Sequence, residues 1–344
     1  VTARVLAALA ALAAIVAAPP AQAFERSRDA GCGVCFYWAG NPPAVSYEVN
    51  LGPAGATGCG TDALAAVQRS LARWSGVARA GATGACSGLG LAFGGETAEL
   101  RVGYDPRGAN ENLVVLRAGW CSRVGIPAAD PCWRDLTCGD VYNCFDDTRP
   151  AGTGTLGQAV IALTTVTYQP STGQILDADI EFAGWDGQAA ALDPSPPPYP
   201  PQGWWLTCAG ASAPVCTSYA PACRYMDLEA VATHEAGHLV GFAHAPESTS
   251  IMFRTINVQT SQAKRTLSAG DVDGVCTVYP VGSAALTCPA TADCGSATGS
   301  GCGCGQAGAA GPVALLALLA LTPRRCRAPR VPRTRAPVAP VSGV

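Results

Sequence analysis

The feature that most constrains this 344-residue chain is one eleven-residue run, His234-Glu235-Ala236-Gly237-His238-Leu239-Val240-Gly241-Phe242-Ala243-His244. It contains all three histidines of the sequence. His234 and His238 stand four apart, so a helix projects both from the same face. Such a pair can grip one zinc ion through its imidazole nitrogens. Glu235 follows the first histidine, placed to touch a metal-bound water and not the metal. Gly241 lacks a Cβ and permits a sharp backbone turn, which brings His244 round as a third ligand. Three protein ligands leave a fourth position open, the mark of catalytic rather than closed structural zinc. The competing reading is a buried helix whose histidines are ordinary satisfied polar groups. The confinement of every histidine to this run argues against it.

Written as H-E-x-x-H-x-x-G-x-x-H and followed by Ser250-Ile251-Met252-Phe253, the run resembles the metzincin metallopeptidases and their methionine-bearing turn. Met252 lies eight residues past His244, a spacing similar to that of the matrixin branch. The resemblance is dense from Asp227 to Tyr279 and extends thinly back to Trp38. It implies an α+β, metzincin-like catalytic domain. Its parts are a twisted mixed sheet with an antiparallel edge strand, an active-site helix, a C-terminal helix and, in this chain, disulfide-stapled insertions. It also implies a zinc-dependent endopeptidase, secreted or at the surface, that cleaves peptide bonds with a zinc-activated water and Glu235 as general base. One catalytic zinc is expected on His234, His238 and His244, with Gly241 and Met252 as structural support; calcium is left open. The alternative is a surface binding or adhesion module that holds zinc without turnover. Glu235 tells against it, because a non-catalytic site needs no base beside the metal.

Several residues depart from the family pattern. Ala245 stands where matrixins usually carry Ser. Arg254 stands where astacin-like members place a ligating Tyr, so no fifth protein ligand is expected there. No histidine remains for a second, structural zinc. About fourteen residues separate the expected leader cleavage from Trp38, too few for a usual pro-domain. Cys32 or Cys35 as a latency ligand is less expected than disulfide pairing.

Residues 1–23 read as a secretory signal: Arg4, an apolar run, then Ala21-Gln22-Ala23. Seventeen cysteines in an exported chain imply disulfides. Fourteen lie between Cys32 and Cys294, which allows seven bridges. Spacing suggests Cys138 with Cys144 and Cys288 with Cys294 as local pairs. Ahead of the last 39 residues, the chain after the signal carries 15 basic and 25 acidic side chains. That acidity argues against nucleic acid as a partner, since phosphate binding needs a basic surface. A protein or peptide substrate and a monomer are expected.

In chain order, residues 24–280 form the expected catalytic domain. Ala44–Asn50 alternates like a strand, and Thr61–Val77 has helical apolar spacing with Thr61 or Asp62 as cap. Leu89–Phe93, Glu99–Gly103 and Leu113–Leu116 read as short strands. Two Cys-rich insertions follow near 119–157 and 184–223, the first serving equally as a cleft wall or as a surface excursion. Between them, Ala159–Thr167 and Ile175–Phe182 read as a hairpin or two neighbouring strands. The family resemblance makes one of these strands the cleft edge, where a substrate peptide adds as a further strand. Asp177, Asp179 and Glu181 share one face of the second strand. A solvated face is the stronger expectation for them, calcium ligation the weaker. Asp227 caps the active-site helix, Leu228 to Val240, and Ser268 with Asp271 opens a last helix. Residues 281–305 read as a linker. Residues 306–344 read as a hydrophobic, Arg-rich sorting or anchor tail, which resembles the C-terminal sorting tags of myxobacterial exported proteins; the alternative is a plain single-helix anchor. Through it alone would the chain meet a membrane, before processing.

Overall fold

The computed structural model describes residues 24–52, 57–108, 110–151, 154–188, 202–220, 222–258, 261–290 and 338–341. The expected signal, most of the linker and most of the tail lie outside them. Among the described residues no helix is long and apolar enough to cross a membrane.

A twisted mixed sheet forms the frame. Its strands are β1 (Ala44–Asn50), β2 (Gly90–Glu96), β3 (Asn112–Ala118), β6 (Ala162–Tyr168), β7 (Ile175–Gly184) and β10 (Val338–Val341). Two-residue strands make two small pairs, β4 (Pro150–Ala151) with β5 (Gly154–Thr155), and β8 (Leu206–Thr207) with β9 (Met226–Asp227). The sheet order is β10-β6-β7-β3-β1-β2. β2, β1, β3 and β7 are parallel; β6 runs antiparallel to β7, and β10 runs antiparallel to β6. The fold is thus the mixed α/β arrangement expected of a metzincin-like catalytic domain, with β6 and β7 where the sequence placed strands at Ala159–Thr167 and Ile175–Phe182, and an antiparallel strand toward the sheet edge.

Two long helices pack against this sheet and each other: α1 (Ala63–Ala72) and α4 (Leu228–Leu239). Short helices α2 (Pro131–Asp135) and α3 (Cys138–Tyr142) lie in the first insertion, and α5 (Ala269–Val278) closes the domain. The alternating residues of β1 send Val45, Tyr47 and Val49 inward. Val67, Leu71 and Trp74 complete the α1 side of the same core. Trp74 Nε1 donates to the Thr233 carbonyl at 2.9 Å, pinning α1 to the middle of α4.

The structure corrects several sequence expectations. Glu99–Gly103 is not a strand. The Glu99 carboxylate instead accepts the N–H groups of Leu100 and Arg101, and a turn-forming side chain of this kind competes with ladder pairing. Asp62 is the residue before α1, yet neither it nor Thr61 caps the helix through a side chain. Both guessed cysteine pairs are replaced: Cys138 bonds Cys132, Cys144 bonds Cys121, and Cys288 bonds Cys35. Tertiary proximity outranks spacing here. The other bridges, Cys59–Cys208, Cys86–Cys276 and Cys216–Cys223, tie loops to helices and to the body. Cys32 is also disulfide-bonded.

Asp177, Asp179 and Glu181 do not form a solvated face; all three are buried. β3 and β6 flank β7, and loops cover this side of the strand. Asp179 accepts the N–H groups of Leu113 at 2.8 Å and Gly103 at 2.5 Å. Glu181 sits between two guanidinium groups, Arg117 at 2.7 Å and Arg149 at 2.9 Å. Arg117 is fully buried and also holds Asp140 at 3.0 Å and the Gly139 carbonyl at 2.8 Å. The first insertion is therefore riveted to the sheet by a buried ion network as well as by disulfides. Breaking such a pair leaves an uncompensated buried charge. Glu181→Ala should lower unfolding free energy by about 3–5 kcal/mol in a denaturant titration. Burial raises the Glu181 pKa, but Arg149 and Arg117 together outweigh it and hold the group below the usual glutamate value. A depressed acid gives stability that is present above its unfolded pKa and lost as pH falls through the folded one. Wild type should accordingly soften in acid, and the Glu181→Ala variant should lose less stability over the same interval.

Candidate active site

The site is built on α4 and the bend that follows it. Asp227 precedes the helix in an extended conformation and accepts the Ala230 N–H at 2.8 Å, as the sequence suggested. Its carboxylate is also paired with Arg265 at 2.5 Å. One residue into the first turn, Glu229 is held by Arg69 of α1 at 2.9 Å and by Arg73, the residue that caps the end of α1, at 2.5 Å. Acids at this end complement the helix dipole. All twelve residues of α4 are buried, so the helix has no solvent face and its orientation is set from every side.

The C-terminal end of α4 is closed by side chains distant in sequence. Trp38 Nε1 donates to the Leu239 carbonyl at 2.8 Å, and Tyr279 Oη donates to the Val240 carbonyl at 2.8 Å. These satisfy two of the carbonyls that a helix end leaves without partners. Gly241 then takes φ +96°, and a Cβ there would lie 2.7 Å from the Phe36 carbonyl oxygen. The bend is sewn to the 24–28 segment: Ser27 N–H donates to the Gly241 carbonyl at 2.9 Å, and Ala243 N–H to the Glu25 carbonyl at 3.0 Å.

The bend brings the three histidines together. One ring nitrogen of each lies within 4.8 Å of those of the other two, the one such His/Cys/Asp/Glu group of three or more among the described residues. His234 Nδ1 faces the Ile251 carbonyl at 2.6 Å, and His238 Nδ1 faces the Phe242 carbonyl at 2.7 Å. A carbonyl can only accept, so each Nδ1 carries the proton and each Nε2 is a bare lone pair. The two Nε2 atoms face each other at 3.1 Å. Neither can donate to the other. His244 Nε2 is buried as well, and makes no hydrogen bond among the described residues.

Protonation would relieve this crowding, but the surroundings oppose it. Burial lowers His234 to about 3 and takes His238 well below the ordinary histidine value. Burial also lowers His244, with the Arg254 charge adding to it. Three neutral imidazoles with converging lone pairs are the donor set that suits a borderline-soft divalent cation, zinc foremost. The carbonyls on the Nδ1 atoms are the outer partners that fix ring orientation and raise ligand basicity.

Glu235 lies between the two helical histidines in sequence and is completely buried. Thr164 on β6 donates its hydroxyl to Glu235 Oε2 at 2.7 Å and reaches the Glu235 backbone carbonyl at 3.1 Å. The sheet strand that borders the site thus fixes the carboxylate. Below the histidines, Met252 lies directly against Gly237, where an added Cβ would fall 2.2 Å from the Met252 sulfur. The turn bearing Met252 is clamped by Asp271 at the start of α5, which accepts from Ser250 Oγ at 2.5 Å and from Ile251 N–H at 2.9 Å. The same Asp271 closes the capping box with Ser268. That box was legible in the sequence, its second use on the turn was not. Thr164, Trp38, Tyr279, Glu25 and Ser27 carry no motif and are recognisable only in three dimensions.

Residues 154–280 match the family model described as Matrixin. Over 54 residues the chain is 41% identical to Metalloendoproteinase 1-MMP of Arabidopsis thaliana, which covers 16% of this chain and 14% of that protein. It is 44% identical over 54 residues to Metalloendoproteinase 2-MMP of the same plant, again 16% and 14% of the two chains. Over 61 residues it is 37% identical to Metalloendoproteinase 1 of Glycine max, 18% of this chain and 19% of that protein. The chain therefore matches only about a seventh to a fifth of the length of these curated relatives. Together with the sheet order and the histidine cluster, these matches support a matrixin-like family for the domain that holds the site.

Proposed function

We propose that this chain is a zinc-dependent endopeptidase with His234, His238 and His244 as metal ligands and Glu235 as general base. The observation that carries the reading is the pair of bare, buried Nε2 atoms at 3.1 Å, made tolerable by a shared cation, next to a carboxylate oriented from the neighbouring strand. When bound, zinc supplies Lewis-acid polarisation of a carbonyl and a lowered pKa for water. Glu235 accepts a proton from the attacking water as its oxygen bonds to the scissile carbonyl carbon. As the carbon–nitrogen bond breaks, the same carboxyl returns that proton to the leaving amine. Thr164 keeps Oε2 in place through both transfers, and Gly241 and Met252 keep the ligands on their bearing.

Export belongs to the same reading. Six disulfides join pairs of described residues, and such bridges persist in oxidising compartments. The signal-like residues 1–23 and the tail supply the route, with release or display at the surface as the outcome. A protein or peptide is the substrate class.

Metal analysis and a casein digest test the proposal together. The purified protein should contain about one zinc per chain. Hydrolysis should stop with a chelator and return with added zinc. Zinc without hydrolysis of any protein or peptide would instead favour the binding-module alternative, and absence of zinc would reject both.

A further inference from the structure

We propose that Arg254 is a specificity-determining residue, binding a substrate carboxylate that lies close to the scissile bond. The inference rests on the endopeptidase reading and names a substrate class for it: acidic peptides, or peptides cut near a free C-terminus. Ala245 and Phe253 form a parallel bridge, and the Ala245 N–H donates to the Met252 carbonyl at 2.8 Å. Residues paired across extended backbone point to one side, and their chain neighbours point to the other. His244, Met252 and Arg254 therefore share a side. Met252 lies against Gly237, between the two helical histidines, so that side is the one facing the metal ligands. Phe253 turns away, with the Lys264 ammonium 5.9 Å from its ring centre.

Arg254 is exposed, and its side chain makes no hydrogen bond or ion pair among the described residues. The other cations of residues 253–265 are committed. Lys264 donates to the carbonyls of Ser248 and Ser250, and Arg265 is paired with Asp227. The acids of the adjoining loop and helix do not neutralise Arg254 either. Asp271 accepts from Ser250, Ile251 and Ser268, and Glu247 forms no ion pair among the described residues. A guanidinium left free beside a cation site is repelled by the ion and gains nothing from the ligands. Its charge adds to the burial that already lowers the His244 pKa. What it offers is a planar fork of donors that matches a carboxylate. An aspartate or glutamate side chain supplies that group within a peptide, and the terminal carboxylate supplies it at the end of one. The pair would stand in solvent, so its effect is modest, about fivefold in affinity, and salt weakens it.

Quenched peptides of one neutral sequence, carrying Glu, Gln or Lys at each position flanking the bond, test the selection. At one position the wild type should cleave the Glu peptide with kcat/KM about fivefold above its Gln twin, chiefly through KM, and high salt should erase the difference. Free-acid and amidated forms of the Gln peptides separate the two sources. An advantage confined to the free acids assigns the carboxylate to the substrate C-terminus. Arg254→Ala should bring the ratio to about one, Arg254→Lys should keep part of it, and Arg254→Glu should turn the preference toward Lys. Ratios taken within one enzyme cancel any general loss of activity. In a zinc-loaded Glu235→Gln background, fluorescence anisotropy with the same peptides should give the same ratios in Kd. Ratios near one in the wild type, or ratios unchanged by Arg254→Ala, would overturn the proposal. A fall in kcat of equal size for every peptide would also overturn it, by placing Arg254 on the reaction and not on selection. If no peptide is cleaved, the endopeptidase reading fails, while the binding ratios still decide whether Arg254 selects a carboxylate.

Discussion

Replacing Glu235 with Gln should leave zinc content unchanged and reduce peptide hydrolysis by at least about 10²–10⁴-fold. The amide keeps the size of the carboxylate and can still accept the Thr164 hydroxyl that now bonds Oε2 at 2.7 Å. It cannot take a proton from water at neutral pH. Neither helical histidine depends on Glu235 for its tautomer, since Ile251 and Phe242 carbonyls fix His234 and His238. Zinc analysis beside kinetics on a quenched peptide separates the two roles. Loss of metal would show that Glu235 supports the ligand set. Undiminished turnover would remove it from the chemistry.

Gly241→Ala should have the second largest effect, acting on a residue that touches no substrate. Two costs coincide there. The backbone has φ +96°, a region L-residues enter at about 1–2 kcal/mol. An added Cβ would also meet the Phe36 carbonyl oxygen at 2.7 Å, and that oxygen is backbone and cannot swing away. Relief requires the bend to open, and His244 lies three residues beyond it. The expected result is zinc affinity lower by about tenfold or more, read by competition with a chromogenic chelator. Thermal unfolding of the zinc-free protein should also fall. A variant with the wild-type affinity would mean that His244 does not need this bend to reach the other two.

Much of the site was readable before any coordinates. The spacing of His234 and His238 requires a shared helical face, and the glycine after them allows a turn. Asp227 and Ser268 announce their helices because capping is local chemistry, settled within one turn of backbone. The 162–184 hairpin announces itself for the same reason, through alternation and a turn between two β-prone runs. Where expectation failed, a contact outside the strand or spacing pattern decided the outcome. Glu99–Gly103 has strand-like residues, yet Gly103 N–H is drawn to Asp179, 76 residues away. Cys138 and Cys144 are close in sequence but bond other partners, because the α2–α3 pair sets Cys132 beside Cys138 and the Trp120–Phe145 bridge sets Cys121 beside Cys144. Asp177, Asp179 and Glu181 alternate like an exposed face, and alternation cannot tell water from a loop that brings arginines.

By itself the sequence determined the identity and order of the proposed ligand set, the helix that carries two of its members and the turn that brings the third beside them. These follow from periodicity and from backbone freedom at one glycine, which are properties of adjacent residues. The tertiary structure alone decided which ring nitrogens are bare, that Thr164 holds the Glu235 carboxylate, that a buried arginine fastens the first insertion, and that β10 lies against β6. Each of those is a meeting of groups tens to hundreds of residues apart. The burial that makes such meetings consequential comes only from the packed chain.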